Sequence, residues 1–266
     1  MRSRPPAVAG SFYPADRAAL AAAVDRYLAS GRTRLGSGGD DRAPKAVIAP
    51  HAGYIYSGPI AGAAYAAVQA RCPSIERVVL LGPAHRVRVD GLAASSADAF
   101  VTPLGAVSID RVAVHDSLRH PQVHVLDAAH AGEHSLEVQL PFLQRVLSGF
   151  ELIPFAVGDA THSEVAEVLD DLWGGPDTLV VVSSDLSHYY DYESAARLDA
   201  GTAAAIEGSH PERLGPESAC GRIPIGGLLL AAARHGLHAT RLDLRSSGDT
   251  AGPRDEVVGY GAFAFS

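Results

Sequence analysis

Three short, nearly unbroken apolar runs constrain this chain more than anything else in it: Ala46-Val-Ile-Ala, Arg77-Val-Val-Leu-Leu and Thr178-Leu-Val-Val-Val-Ser-Ser. A strand with one wet face alternates apolar and polar side chains. A strand without that alternation is covered on both faces, which is the condition of a parallel sheet between helices. A fourth buried strand is read over Glu151–Val157. Helices are predicted over Ile60–Ala70, Ser163–Trp173, Tyr192–Glu207 and Pro224–Arg234. Another runs from Asp16 to about Ala29, where Leu20, Val24 and Leu28 recur at helical spacing and Asp16 can accept the free amides of the first turn. The polar, glycine-rich stretch 31–44 reads as a flexible loop. Phe100–Asp110 reads as a hairpin excursion, and the alternating segments Ala239–Leu244 and Val257–Phe265 as a last strand pair. The expected fold class is α/β, a single domain over residues 1–266 with a central mixed, largely parallel β-sheet flanked by helices.

Composition removes several functions. A chain of 266 residues that is 47% hydrophobic can bury a large core without disulfide staples. A net charge of -8, from 22 basic against 30 acidic residues, is the wrong sign for neutralising phosphates, so no nucleic-acid partner is expected. Lys45 is the only lysine, which leaves no polybasic membrane patch. No apolar run approaches the roughly 18–20 residues that span a bilayer, so no membrane is expected either. The first residues carry arginines but no apolar segment behind them, which points to the cytoplasm. Two cysteines, Cys72 and Cys220, do not make a disulfide framework.

The chemistry gathers where strands end. The first run leads into Pro50-His51-Ala-Gly-Tyr54, the second into Gly82-Pro-Ala-His85, the third into Ser183-Ser-Asp185-Leu-Ser-His188. Parallel strands present their carboxyl ends on one edge, so these residues are expected to meet there. Any one histidine could simply cap its strand; the agreement of three strand ends favours a site. Imidazole is the commonest transition-metal ligand, and Asp185 is a carboxylate able to orient a neighbouring ring. Cys220, beside Arg222 and just ahead of a helix, has its thiolate favoured and suits a metal ligand or a nucleophile. Cys72 reads as incidental. The string His130-Ala-Gly-Glu-His134 matches an inverted zinc-peptidase motif, but Gly132 interrupts it, and Glu133–Phe142 reads instead as the opening of an amphipathic helix. Ser183, Ser184 or Ser187 near Asp185 and His188 would allow a serine hydrolase, yet no G-x-S-x-G elbow is present. Phosphate loops are missing.

In order along the chain stand Pro6-Ala-Val-Ala-Gly-Ser-Phe-Tyr-Pro14, Ala49-Pro-His-Ala-Gly-Tyr54, Leu81-Gly-Pro-Ala-His85 and Thr102-Pro-Leu104. After them come Glu133-His-Ser-Leu-Glu137, Ser183-Ser-Asp-Leu-Ser-His188, Cys220-Gly-Arg222 and Ser247-Gly-Asp-Thr250. Together they resemble the Memo-like family, whose bacterial and archaeal members are called AmmeMemoRadiSam system protein B. The resemblance implies a fold similar to the class III extradiol dioxygenases, which hold non-haem Fe(II). It implies metal ligands at His51, His85 and Cys220, with His188, Asp185 and His134 lining the same pocket in catalytic roles. His188 would be the general acid or base and Asp185 its orienting partner. A cysteine in place of a carboxylate softens the site, so copper or zinc joins Fe(II) among the expected cofactors. Two function classes follow: a metal-dependent redox enzyme acting on an unknown small molecule, or a non-catalytic metal- or peptide-binding protein. For the second class the resemblance implies radical-SAM and AMMECR1-type proteins as partners.

Overall fold

The computed structural model describes residues 2–36, 44–71 and 75–266, so Cys72 and residues 37–43 of the expected loop lie outside the described residues. The strands are β1 (Ser3–Arg4), β2 (Ala46–Ala49), β3 (Arg77–Pro83), β4 (Leu92–Ala94), β5 (Ala99–Thr102), β6 (Gly105–Ser108), β7 (Val123–Val125), β8 (Glu151–Val157), β9 (Thr178–Ser183), β10 (His188–Tyr190), β11 (Ala239–Ser246) and β12 (Val257–Phe265). The helices are α1 (Arg17–Leu35), α2 (Tyr54–Arg71), α3 (Arg111–Ser117), α4 (Asp127–Ala131), α5 (Leu140–Val146), α6 (His162–Leu172), α7 (Tyr192–Glu207) and α8 (Arg222–Arg234). None of them is long and apolar enough to cross a membrane.

A nine-stranded sheet runs in the order β10-β12-β2-β9-β3-β8-β4-β7, with β11 paired to β12. The four strands of the sequence reading, β2, β9, β3 and β8, are parallel neighbours, and the sheet is mixed because β12 and β4 join it antiparallel. Their side chains are buried on both faces, as the missing alternation required: Ile48, Leu80, Val181 and Ile153 are all fully covered. Shortening Leu80 to alanine there costs about 2–5 kcal/mol. The expected hairpin is β5–β6, but it belongs to a separate three-stranded sheet with β1.

Asp16 caps α1 as expected, accepting from the Ala19 amide at 2.8 Å. The helix does not stop near Ala29, however; residues 31–35 of the expected loop are its last turns. Gly31 is helical because it is a packing residue. A Cβ there would collide with the Gly62 carbonyl, and one at Gly62 with the Tyr27 carbonyl, so α1 and α2 cross backbone to backbone. A glycine that reads as a breaker is instead the one residue small enough for the crossing. On the other side, α6 starts on a capping box, Thr161 with Glu164, and packs on α8 and through it on β3 and β9.

Candidate metal centre

Because β9 lies between β2 and β3, the ends of these strands are adjacent. Beyond them opens a cavity of about 920 Å³ lined by His51, His85, His134, Asp185, His188 and Cys220, so all six candidate site residues face one space. Donor atoms of His51, His85 and His134 lie within 4.8 Å of one another. Their ring centroids are 5.2 Å (51–85), 5.4 Å (51–134) and 4.8 Å (85–134) apart. The Cys220 sulfur adjoins this triad, 3.3 Å from His51 Nε2.

Two of the three rings are held from behind by hydrogen bonds. His51 is buried; its Nδ1 is 2.9 Å from Ser183 Oγ and its backbone N–H donates to Asp185 Oδ1 at 2.7 Å. Glu133 organises the other side. Its carboxylate accepts from His85 Nδ1 (2.9 Å), the His85 amide (2.6 Å) and the amides of His134 and Ser135 (2.9 Å each). Burial alone would raise this carboxyl, but the N–H groups of His85 and Ser135 outweigh it and hold Glu133 at about 2. His85 Nδ1 therefore faces an anion to which it donates. His134 Nδ1 is buried without a hydrogen-bond partner, 3.3 Å from Glu133 Oε1, and the ring packs against Phe12 at 4.7 Å.

Burial sets the charge states. It lowers His51 well below the ordinary imidazole range and takes His134 down to about 4, so both rings are neutral, the state in which imidazole ligates metals. Burial likewise lowers His188, at the start of β10. Asp185 is pushed up to about 7 by burial, against the pull of the His51 and Ala52 amides. Its Oδ1 is committed to His51 rather than to His188, and Oδ2 lies 4.0 Å from His51 Nε2. The thiolate expected at Cys220 is not favoured. The residue precedes α8, but desolvation and then the nearby Asp185 carboxyl push the thiol up to about 12.

The H-x-x-E-H string is not helical across its length: α4 ends at Ala131, Gly132 follows, and Glu133 and His134 lie in irregular backbone ahead of a turn at Ser135 and Leu136. Nor does the next helix open at His134; a single 3₁₀ turn over Glu137–Gln139 leads into α5. The Glu133 carboxylate draws the following amides onto itself, which replaces a helical first turn. Glu137 was not foreseen. Fully buried, it pairs with Arg4 and accepts from Tyr13 Oη (2.5 Å) and the Ala7 amide (2.7 Å), which fastens the N-terminal segment over the site. Polar residues ahead of an apolar run gave no signal of this role.

A family model described as Memo-like protein matches residues 4–264. A protein of Aquifex aeolicus (strain VF5) named MEMO1 family protein is 37% identical over 272 aligned positions, covering 98% of each chain. Another of that name from Aeropyrum pernix is 39% identical over 282 positions, covering 98% of this chain and 99% of its own. Among solved structures, an uncharacterized protein of Escherichia coli K12 shares the fold with a TM-score of 0.51 at 14% identity, over 82% of this chain and 99% of that one.

Proposed function

The chain belongs to the Memo-like protein family, and from that premise we propose that its cavity binds one divalent transition-metal ion and carries out redox chemistry on a small molecule. Iron(II) is the leading candidate, with copper and zinc as competitors. The observation that carries this is the triad itself: three imidazoles from separate parts of the chain, two held neutral by burial and the third hydrogen-bonded to a carboxylate through Nδ1. His51 and His85, each tied from behind through Nδ1, have the usual arrangement of metal-ligating histidines. The fold similarity to class III extradiol dioxygenases that the Memo-like resemblance implies supports the redox reading.

His51, His85 and His134 are the nitrogen donors, and Cys220 adjoins them as a soft sulfur donor whose thiol proton leaves when it ligates. When bound, the metal supplies Lewis acidity and, for iron or copper, a one-electron couple. The protein's own part is acid–base chemistry and positioning. The Asp185 carboxyl, raised to about 7, exchanges a proton near neutral pH, and the His188 ring on the same wall, lowered by burial, accepts one. Tyr56, Tyr260 and Phe12 give the cavity flat apolar faces against which a substrate packs.

The test is Fe(II) titration of anaerobically purified protein, followed by oxygen uptake with a panel of small aromatic and thiol substrates. Stoichiometric uptake is expected for the wild type and is lost in His51→Ala and in His85→Ala. Cys220→Ser weakens copper more than iron. Binding that survives removal of both His51 and His85 rules the site out, and an iron-loaded form that consumes no oxygen across the panel rules out the enzymatic part.

A further inference from the structure

We propose that Ser183 is a positioning residue: its hydroxyl fixes His51 in the tautomer with the proton on Nδ1, so that Nε2 faces the cavity as a bare donor. The purpose of this latch rests on the metal reading above; its geometry does not.

A serine hydroxyl has one proton and two lone pairs. Around Ser183 Oγ stand the Ser135 carbonyl oxygen at 2.5 Å, Gln139 Nε2 at 2.7 Å and His51 Nδ1 at 2.9 Å. The Gln139 amide fits only one way round. Its nitrogen lies 3.0 Å from the Pro50 carbonyl and 3.4 Å from that of Ala49, while its oxygen accepts from the Tyr65 hydroxyl at 2.8 Å. Gln139 therefore donates to Ser183 and fills one lone pair. The Ser135 carbonyl has no hydrogen to give, so it takes the hydroxyl proton. What remains toward His51 is a lone pair, and Nδ1 has to bring the hydrogen.

The opposite arrangement, with the hydroxyl turned to Nδ1, would set two bare oxygens 2.5 Å apart and leave a buried carbonyl unpaired. The same accounting removes Ser183 as a nucleophile. It is fully buried, and its proton goes to a backbone carbonyl rather than to a base. The latch also ties the two sides of the cavity together, since Ser183 ends β9 while Ser135 follows His134.

The decisive measurement is nitrogen-detected NMR of metal-free protein carrying isotope-labelled histidine, paired with Fe(II) titration. Wild type should show the proton on His51 Nδ1. In Ser183→Ala the acceptor is gone, and the proton moves to Nε2, where the Cys220 sulfur lies 3.3 Å away. Fe(II) affinity should then fall about 10- to 100-fold, the usual effect of losing a partner behind a ligating imidazole. Ser183→Thr keeps the hydroxyl and should restore both readings. Wild type with the proton on Nε2, or a folded Ser183→Ala with an unchanged tautomer, overturns the latch. Wild type with the proton on Nδ1 that takes up no Fe(II) supports the latch and overturns the metal reading.

Discussion

The two sides of the cavity hold their imidazoles by different electrostatics. His51 leans on a neutral hydroxyl, whereas His85 and His134 gather round an ionised carboxylate, Glu133. Exposure separates them: His51 is 2% exposed, while the His85 side chain is 29% exposed. The carboxyl groups on the two sides teach why. Glu133 is itself buried, but four N–H groups from His85, His134 and Ser135 stabilise its charge and hold it at about 2. Asp185, on the His51 side, has the His51 and Ala52 amides, and burial pushes it up to about 7. Burial acts on both acids, and the added donors at Glu133 are what turn the balance toward the anion there.

The hardest blow to this contrast is Glu133→Ala. It strands the N–H groups of His85, His134 and Ser135, and is expected to lower unfolding free energy by about 3 kcal/mol, the scale of hydrogen bonds to a buried charge. In urea denaturation this loss should exceed that of Ser183→Ala; equal losses would mean that charge makes no difference between the two sides.

Acid titration sharpens the same contrast through opposite signs. Glu133 is depressed from 4.5 to about 2, so its stabilisation is complete above 4.5 and declines as pH falls toward 2. Asp185 is raised from 3.8 to about 7, so ionising it costs stability as pH climbs through that window. Thermal melting across pH should lose the acid-side slope in Glu133→Gln and the neutral-side slope in Asp185→Asn. The smallest effect is expected for Tyr65→Phe, which removes only the phenol that holds the Gln139 amide. About 1 kcal/mol should be lost in denaturation, with His51 perturbed and His85 untouched; a change at His85 would show the two sides to be one network.

What the sequence disclosed follows from range. Apolar runs that are continuous over four or more residues announced β2, β3, β8 and β9, and the polar residues directly after them were placed on one edge by topology alone. β1, with two residues, and β4 and β7, with three each, are too short to leave a pattern. Glu133 stood in full view, but its bonds to His85 reach across 48 positions, and nothing local told it from a helix-opening acid. Gln139 and Tyr65 drew no notice in the sequence because their meaning lies in each other and in Ser183. Gly31 misled for the converse reason: its neighbour is another helix.

That last crossing reaches further than packing. Gly62 stands one turn before Tyr65 on α2, and the Tyr65 phenol is the far anchor of the chain of contacts ending at His51. A methyl at position 31 would work as a wedge, prising α2 outward and drawing the phenol off its amide. The disturbance would surface in the proton position of a ring it never touches. Two absent side chains thereby set the tolerance to which the pocket is machined.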